Sequence, residues 1–164
     1  MDSRKVLIAV DGSENSMRAV EYTGRMLGGQ EGFRIMLISI ERFPDRDLFK
    51  DDESWKERCL EMRGEIQNFL AEARNVLVSL QIPGDAIQEK YISSCHSPFA
   101  DRGTDRCSYG TSIAQELLNV LKEEGYGTVV LGRRGMSKAE EFLFGSVSNK
   151  IIHHAKGCTV WVVA

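Results

Sequence analysis

Charge of one sign, long apolar runs, close-spaced cysteines and proline are all scarce in this chain, and each scarcity removes a class of protein. Twenty-one Lys and Arg stand against 24 Asp and Glu, a formal net charge of −3. General nucleic-acid binding asks for a basic excess or stripe, so no nucleic-acid partner is expected. A local pocket can still be positive on an acidic protein, which leaves small anionic ligands open. No apolar run approaches the about 20 residues of a membrane span, so no membrane partner is expected. The start, MDSRKVLIAVDGSE, holds only the short run VLIAV before it turns acidic. It reads as a buried first strand and not as a signal peptide, which predicts a cytoplasmic protein. The cysteines at 59, 95, 107 and 158 include no C-x-x-C pair, and in a reducing compartment all are expected to be free thiols. Three prolines and no evident repeat or low-complexity stretch give no sign of a long linker. Residues 1–164 are therefore read as one domain.

What is present is a regular alternation. RKVLIAV, 4–10, is a short apolar run of the kind buried on both faces of a sheet. Ser13 is a good N-cap for a helix over about 14–28, ended by Gly28-Gly29. FRIMLISI, 33–40, is the second strand. The longest helical pattern covers about 52–80, with Trp55, Cys59, Met62, Ile66, Phe69, Ala73, Val76 and Leu80 forming one apolar stripe that is expected to be core. AIQEKYIS, 86–93, alternates more and suits an edge strand. A helix over about 111–124, a strand at 128–132, a helix over about 146–155 and a last strand at 158–164 complete the chain. Strands alternating with helices predict an α/β fold: a doubly wound, Rossmann-like parallel sheet of five strands, order 3-2-1-4-5, with helices on both faces. Its ligand crevice lies where the order reverses, at the carboxyl ends of the first and fourth strands.

The stretch GRRGMSKAEEFLFGSVS, Gly132–Ser148, begins at that crevice. Glycine lets backbone amides approach an anion closely. A helix N-terminus adds unpaired N–H groups and a partial positive charge. Gly132 and Gly135 can turn the chain, Gly145-Ser146 open the last helix, Ser148 adds a hydroxyl, and Arg133, Arg134 and Lys138 can neutralise phosphate. The stretch is neither a Walker A loop, since no lysine follows Gly145, nor the dinucleotide G-x-G-x-x-G. The segment 94–110 contains Cys95, His96, Asp101, Asp105 and Cys107, which invites a zinc reading. Its thiols lack the paired close spacing of such sites, and no metal centre is expected.

The spacing G-x2-G-x9-G-S, with Gly132, Gly135, Gly145 and Ser146 in their places, resembles the nucleotide-binding signature of the universal stress protein family, in its ATP-binding branch. VLIAVDGSENSMRAVEY, YGTSIAQELLNV and GSVSNKIIHHAKGCTVWVV are similar to the family's first strand and helix, third helix and ending. The family usually has a hydrophobic residue where Ser39 falls and commonly proline where Thr159 falls. The resemblance implies ATP, ADP or AMP as ligand, with Mg²⁺ on the phosphates. It places Ala9, Val10 and Asp11 beside the nucleoside, Ser39 and Ile40 along the base, and Gly132, Arg133, Gly135, Gly145, Ser146, Val147 and Ser148 around the phosphates. It implies a homodimer joined through the strand at 158–164, an unidentified protein partner, and a nucleotide-dependent stress-response switch with at most slow ATP hydrolysis. The rival readings are a nucleotide-independent adaptor on the same fold and a genuine ATP hydrolase or phosphotransferase.

Overall fold

The computed structural model describes residues 1–99, 107–108, 112–133 and 145–164. The chain runs β1 (Asp2–Ala9), α1 (Glu14–Leu27), β2 (Arg34–Ile40), α2 (Asp52–Ser79), β3 (Ile87–Ile92), α3 (Ile113–Glu124), β4 (Tyr126–Gly132), α4 (Ser146–His154) and β5 (Thr159–Val163). All pairings are parallel and the order is β3-β2-β1-β4-β5, as the alternation predicts.

Period-two alternation along the strands feeds two apolar layers. Val6, Ile8, Ile35, Leu37 and Val130 point to one face, where Ala19, Val20 and Leu27 of α1 and Leu70, Ala73 and Leu77 of α2 cover them. Leu7, Met36, Ile38, Val129 and Leu131 point to the other, under Ala114, Leu117, Val120 and Leu121 of α3 and Ile151 of α4. This is why VLIAV reads as a continuous apolar run: each residue has a helix to face.

Ser13 caps α1 as expected, its hydroxyl oxygen accepting the Ser16 N–H at 3.2 Å. Ser112 does the same for α3, and Gly125 ends that helix in the left-handed conformation, φ +72°, that glycine adopts without a steric cost. The chain then enters β4 two residues earlier than its apolar run suggests, because Tyr126 pairs with Asp2. The stripe of α2 is also shifted. Leu70 and Leu77, not Phe69 and Val76, sit fully buried at its centre. The two sets are one residue apart, too close for spacing to separate.

The expectation of four free thiols fails at two of them. Cys95 and Cys107 form a disulfide, with Cα atoms 4.9 Å apart. A lone bridge between Ser94 and Ser108 brings them together, with Cys95 N–H donating to Ser108 O and Ser108 N–H to Ser93 O, both at 2.8 Å. No spacing rule reveals a crossing made by backbone pairing. The clasp also removes both thiols from any zinc set. Cys59 and Cys158 are free.

Tyr126 is 3 % exposed, and burial, with the charge of Glu124 second, pushes its phenol up to about 12. The folded protein therefore holds a proton that the unfolded chain releases from about pH 10, so stability falls as pH rises from about 10 through the folded value. Burial raises Tyr91 in the same direction. Urea unfolding between pH 9 and 11 is expected to lose about 1 kcal/mol per pH unit at the upper end for each such group. Tyr126→Phe should flatten that slope measurably, and an unchanged slope would contradict the assignment.

Candidate functional site

The carboxyl end of β1 is held between its neighbours: Ala9 pairs with Ile38 and Leu131, and Val10 N–H donates to Ile38 O at 2.9 Å. The next residue, Asp11, is exposed, and its carboxylate organises the turn into α1. Asp11 Oδ1 accepts the Ser13 N–H at 3.1 Å and the Ser13 hydroxyl at 2.5 Å. Gly12, at φ +81°, makes the turn.

β4 ends against the first residues of α1. A Cβ placed on Gly132 would lie 2.3 Å from Asn15 O and 2.8 Å from Ser16 N. Gly132 is therefore needed to let two backbones touch, a role its place in the glycine signature does not disclose. Gly145 is the N-cap of α4. That cap carries no side-chain acceptor, and its carbonyl takes the Asn149 N–H at 2.9 Å. The first turn of α4 so presents backbone N–H groups and the positive end of the helix dipole. Ser146 is exposed and Ser148 buried.

These elements enclose one cavity of about 350 Å³. Ala9, Val10 and Asp11 line it from β1, Ser39 and Ile40 from β2, Gly132 from β4, and Gly145, Ser146, Val147 and Ser148 from α4. Arg133 is not among the lining residues; its N–H donates to Val163 O at 2.6 Å and continues the sheet edge. Gly135, with Arg134 and Lys138, lies outside the described residues.

A further wall comes from α2, whose Cys59, Met62, Arg63 and Ile66 also line the cavity. The first half of the stripe expected to be core therefore faces a void. The reason is length. The 28 residues of α2 span about 42 Å at 1.5 Å each, and the seven of β2 only about 23 Å. The helix overhangs the carboxyl edge of the sheet. Beside it stands a polar cluster that sequence reading missed. Glu41, 8 % exposed, accepts the Tyr91 hydroxyl at Oε1 (2.6 Å) and the Ser94 N–H at Oε2 (2.7 Å). The Arg63 guanidinium lies 5.5 Å from the Tyr91 ring centroid. Burial first, then the bond to Glu41, raises the Tyr91 phenol far above its ordinary range. Burial and the Glu41 charge likewise raise the Cys59 thiol. The only sequence signal was Arg63 breaking an otherwise apolar face.

The result is a slot with apolar walls, a carboxylate-phenol-guanidinium group on its α2 side and a helix N-terminus at its other end. Among the described residues no group of three or more His, Cys, Asp and Glu side chains is placed to hold a metal ion, and no helix is long and apolar enough to cross a membrane.

The universal stress protein YxiE of Bacillus subtilis (strain 168) is 24 % identical over 164 residues, covering 97 % of each chain. A universal stress protein crystallised in complex with cAMP superposes with TM-score 0.64 at 18 % identity, over 99 % of this chain and 98 % of that one. The universal stress protein of Archaeoglobus fulgidus in complex with dAMP gives 0.59 at 15 % identity, over the same shares, 99 % and 98 %. These likenesses show the shared fold. Residues 3–164, from the first strand to the last, match the model of the universal stress protein family, and the chain belongs to that family.

Proposed function

We propose that the cavity binds an adenine nucleotide, ATP or a shorter relative, and that the protein acts as a nucleotide-dependent switch with at most slow hydrolysis. One observation carries the reading: the slot at the reversal of strand order is apolar where a base would lie and ends on the N-terminus of α4, where phosphates are favoured. Two relatives of the same fold were crystallised with cAMP and with dAMP, which supports the ligand class. The base would lie against Ser39 and Ile40, the nucleoside near Ala9, Val10 and Asp11, and the phosphates at Gly132, Gly145, Ser146, Val147 and Ser148, with Gly135 and Arg133 nearby in sequence. Mg²⁺ would ride on the phosphates, since a triphosphate brings its own ligands. The engagement of Asp11 with Ser13 favours binding over a dedicated general base, and so favours a switch over a hydrolase. β5 lies at the sheet edge with Val160, Trp161, Val162 and Val163 only half-buried. Such an edge calls for cover, and pairing with a second copy in a homodimer supplies it. A cytoplasmic location and one further protein partner complete the proposal.

The test is titration of nucleotide-free protein with ATP, ADP, AMP, cAMP and adenosine, with and without Mg²⁺. Ser146→Asp places a carboxylate on an exposed first-turn position, which the helix tolerates but a phosphate does not. It is expected to weaken ATP by about tenfold or more while leaving adenosine within about twofold. Folded protein that ignores every one of these ligands would end the nucleotide reading.

A further inference from the structure

The Cys95–Cys107 disulfide lies outside everything so far assigned to the cavity, yet its surroundings reach the cavity walls by three routes. Ser94, next to Cys95, donates its N–H to Glu41, which lines the cavity and also holds Tyr91. Ser108, next to Cys107, is buried, and its hydroxyl lies 3.3 Å from Oε1 of Glu116, the α3 residue beside the cavity-lining Leu117. Arg63, a further lining residue, donates Nη1–H to Phe99 O at 3.3 Å. Among the described residues the two stretches of chain meet in one isolated bridge, Ser94 with Ser108. A pairing that short is marginal without support, and the disulfide clasps it from the adjoining residues by limiting the freedom of the open chain. Both cysteines are partly exposed, whereas the free Cys59 is buried.

We infer that Cys95–Cys107 is a thiol–disulfide exchange site for a dithiol reductant, and that its redox state sets how firmly the Glu41 wall is held and thereby how tightly the cavity grips its ligand. The chemistry balances simply. A thiolate of the reductant attacks one sulfur, a mixed disulfide forms, and the other cysteine leaves as thiolate and takes a proton. The reductant's second thiol then attacks the mixed disulfide, releasing the first cysteine. Two electrons and two protons pass to the protein, and the reductant becomes a disulfide. With the clasp open, Ser94 keeps its hydrogen bond to Glu41 and the backbone bonds of the bridge but loses the covalent tie beside them.

The inference rests on the nucleotide reading for its ligand readout alone, so the test carries a second readout. Full-length protein is poised with reduced or oxidised dithiothreitol, the thiols are counted after denaturation, and each form is followed by hydrogen exchange at the Ser94 amide and by ATP titration. Two thiols, Cys59 and Cys158, should titrate in the oxidised form and all four in the reduced form. Reduction should speed Ser94 exchange by about tenfold and weaken ATP by about three- to tenfold, both reversed on reoxidation. Cys95→Ser with Cys107→Ser should match the reduced form and ignore dithiothreitol. Faster Ser94 exchange without ATP binding in either form would uphold the clasp and sink the nucleotide reading. Thiols that never fall from four to two, or two forms alike in exchange and affinity, would overturn the inference.

Discussion

Gly132→Ala is expected to destabilise the protein by about 3 kcal/mol, an effect at the upper end of overpacking. The new methyl group would be placed 2.3 Å from Asn15 O and 2.5 Å from Asn15 C. Both are backbone atoms at the start of α1, so no side chain can rotate out of the way. Relief requires α1 to withdraw from β4, and α1 is anchored there by Ala19 and Val20, which are fully buried. Thermal unfolding should show a midpoint lower by about 6–12 °C for a chain of this size. Gly64 gives the contrast. It lies inside α2 with nothing within 4 Å of where its Cβ would be, and Gly64→Ala is expected to raise stability by about 1 kcal/mol through helix propensity. Should Gly132→Ala keep its melting point and lose only nucleotide affinity, close backbone packing is not the reason for glycine at this position.

That contrast marks where sequence reasoning reaches and where it stops. The runs VLIAV and RIMLISI expose their strands because residues buried on both faces have nothing polar to alternate with. Strand order then follows from alternation and crossover handedness, and the crevice follows from strand order. Hence Asp11, Ser39, Gly132 and Ser146, 135 positions apart from first to last in the chain, meet at one cavity. The misses share a different physics. Leu70 and Phe69 differ by one helical position, and which of them is buried depends on how α2 is rotated against the sheet. The α2 wall exists because the 28 residues of α2 outrun the seven of β2 in spite of the helix's smaller rise per residue, so the helix overhangs the sheet. The disulfide depends on a backbone bridge between Ser94 and Ser108, residues with no distinguishing type. Tertiary geometry decided each of these, and local pattern carries no record of it.

Glu41 is the residue whose loss should be felt most widely, because it answers two donors at once. In Glu41→Ala the Tyr91 hydroxyl and the Ser94 N–H both lose their acceptor in a largely buried setting. Each orphaned donor costs about 1–3 kcal/mol, so a total near 3 kcal/mol is expected after partial rehydration through the cavity. Glu41→Gln should fall between, because its amide oxygen can serve one donor while its amide nitrogen confronts the other. Tyr91→Phe removes one donor and its need together. The double variant Glu41→Ala/Tyr91→Phe should therefore be less destabilised than the two single losses added, with a coupling of about 1–2 kcal/mol in a urea-unfolding cycle. The β2 end and the Ser94 segment should loosen together in Glu41→Ala, since one carboxylate joins them. Additive losses would mean that Glu41 and Tyr91 merely sit side by side, and that the wall of the cavity is held by packing of α2 alone.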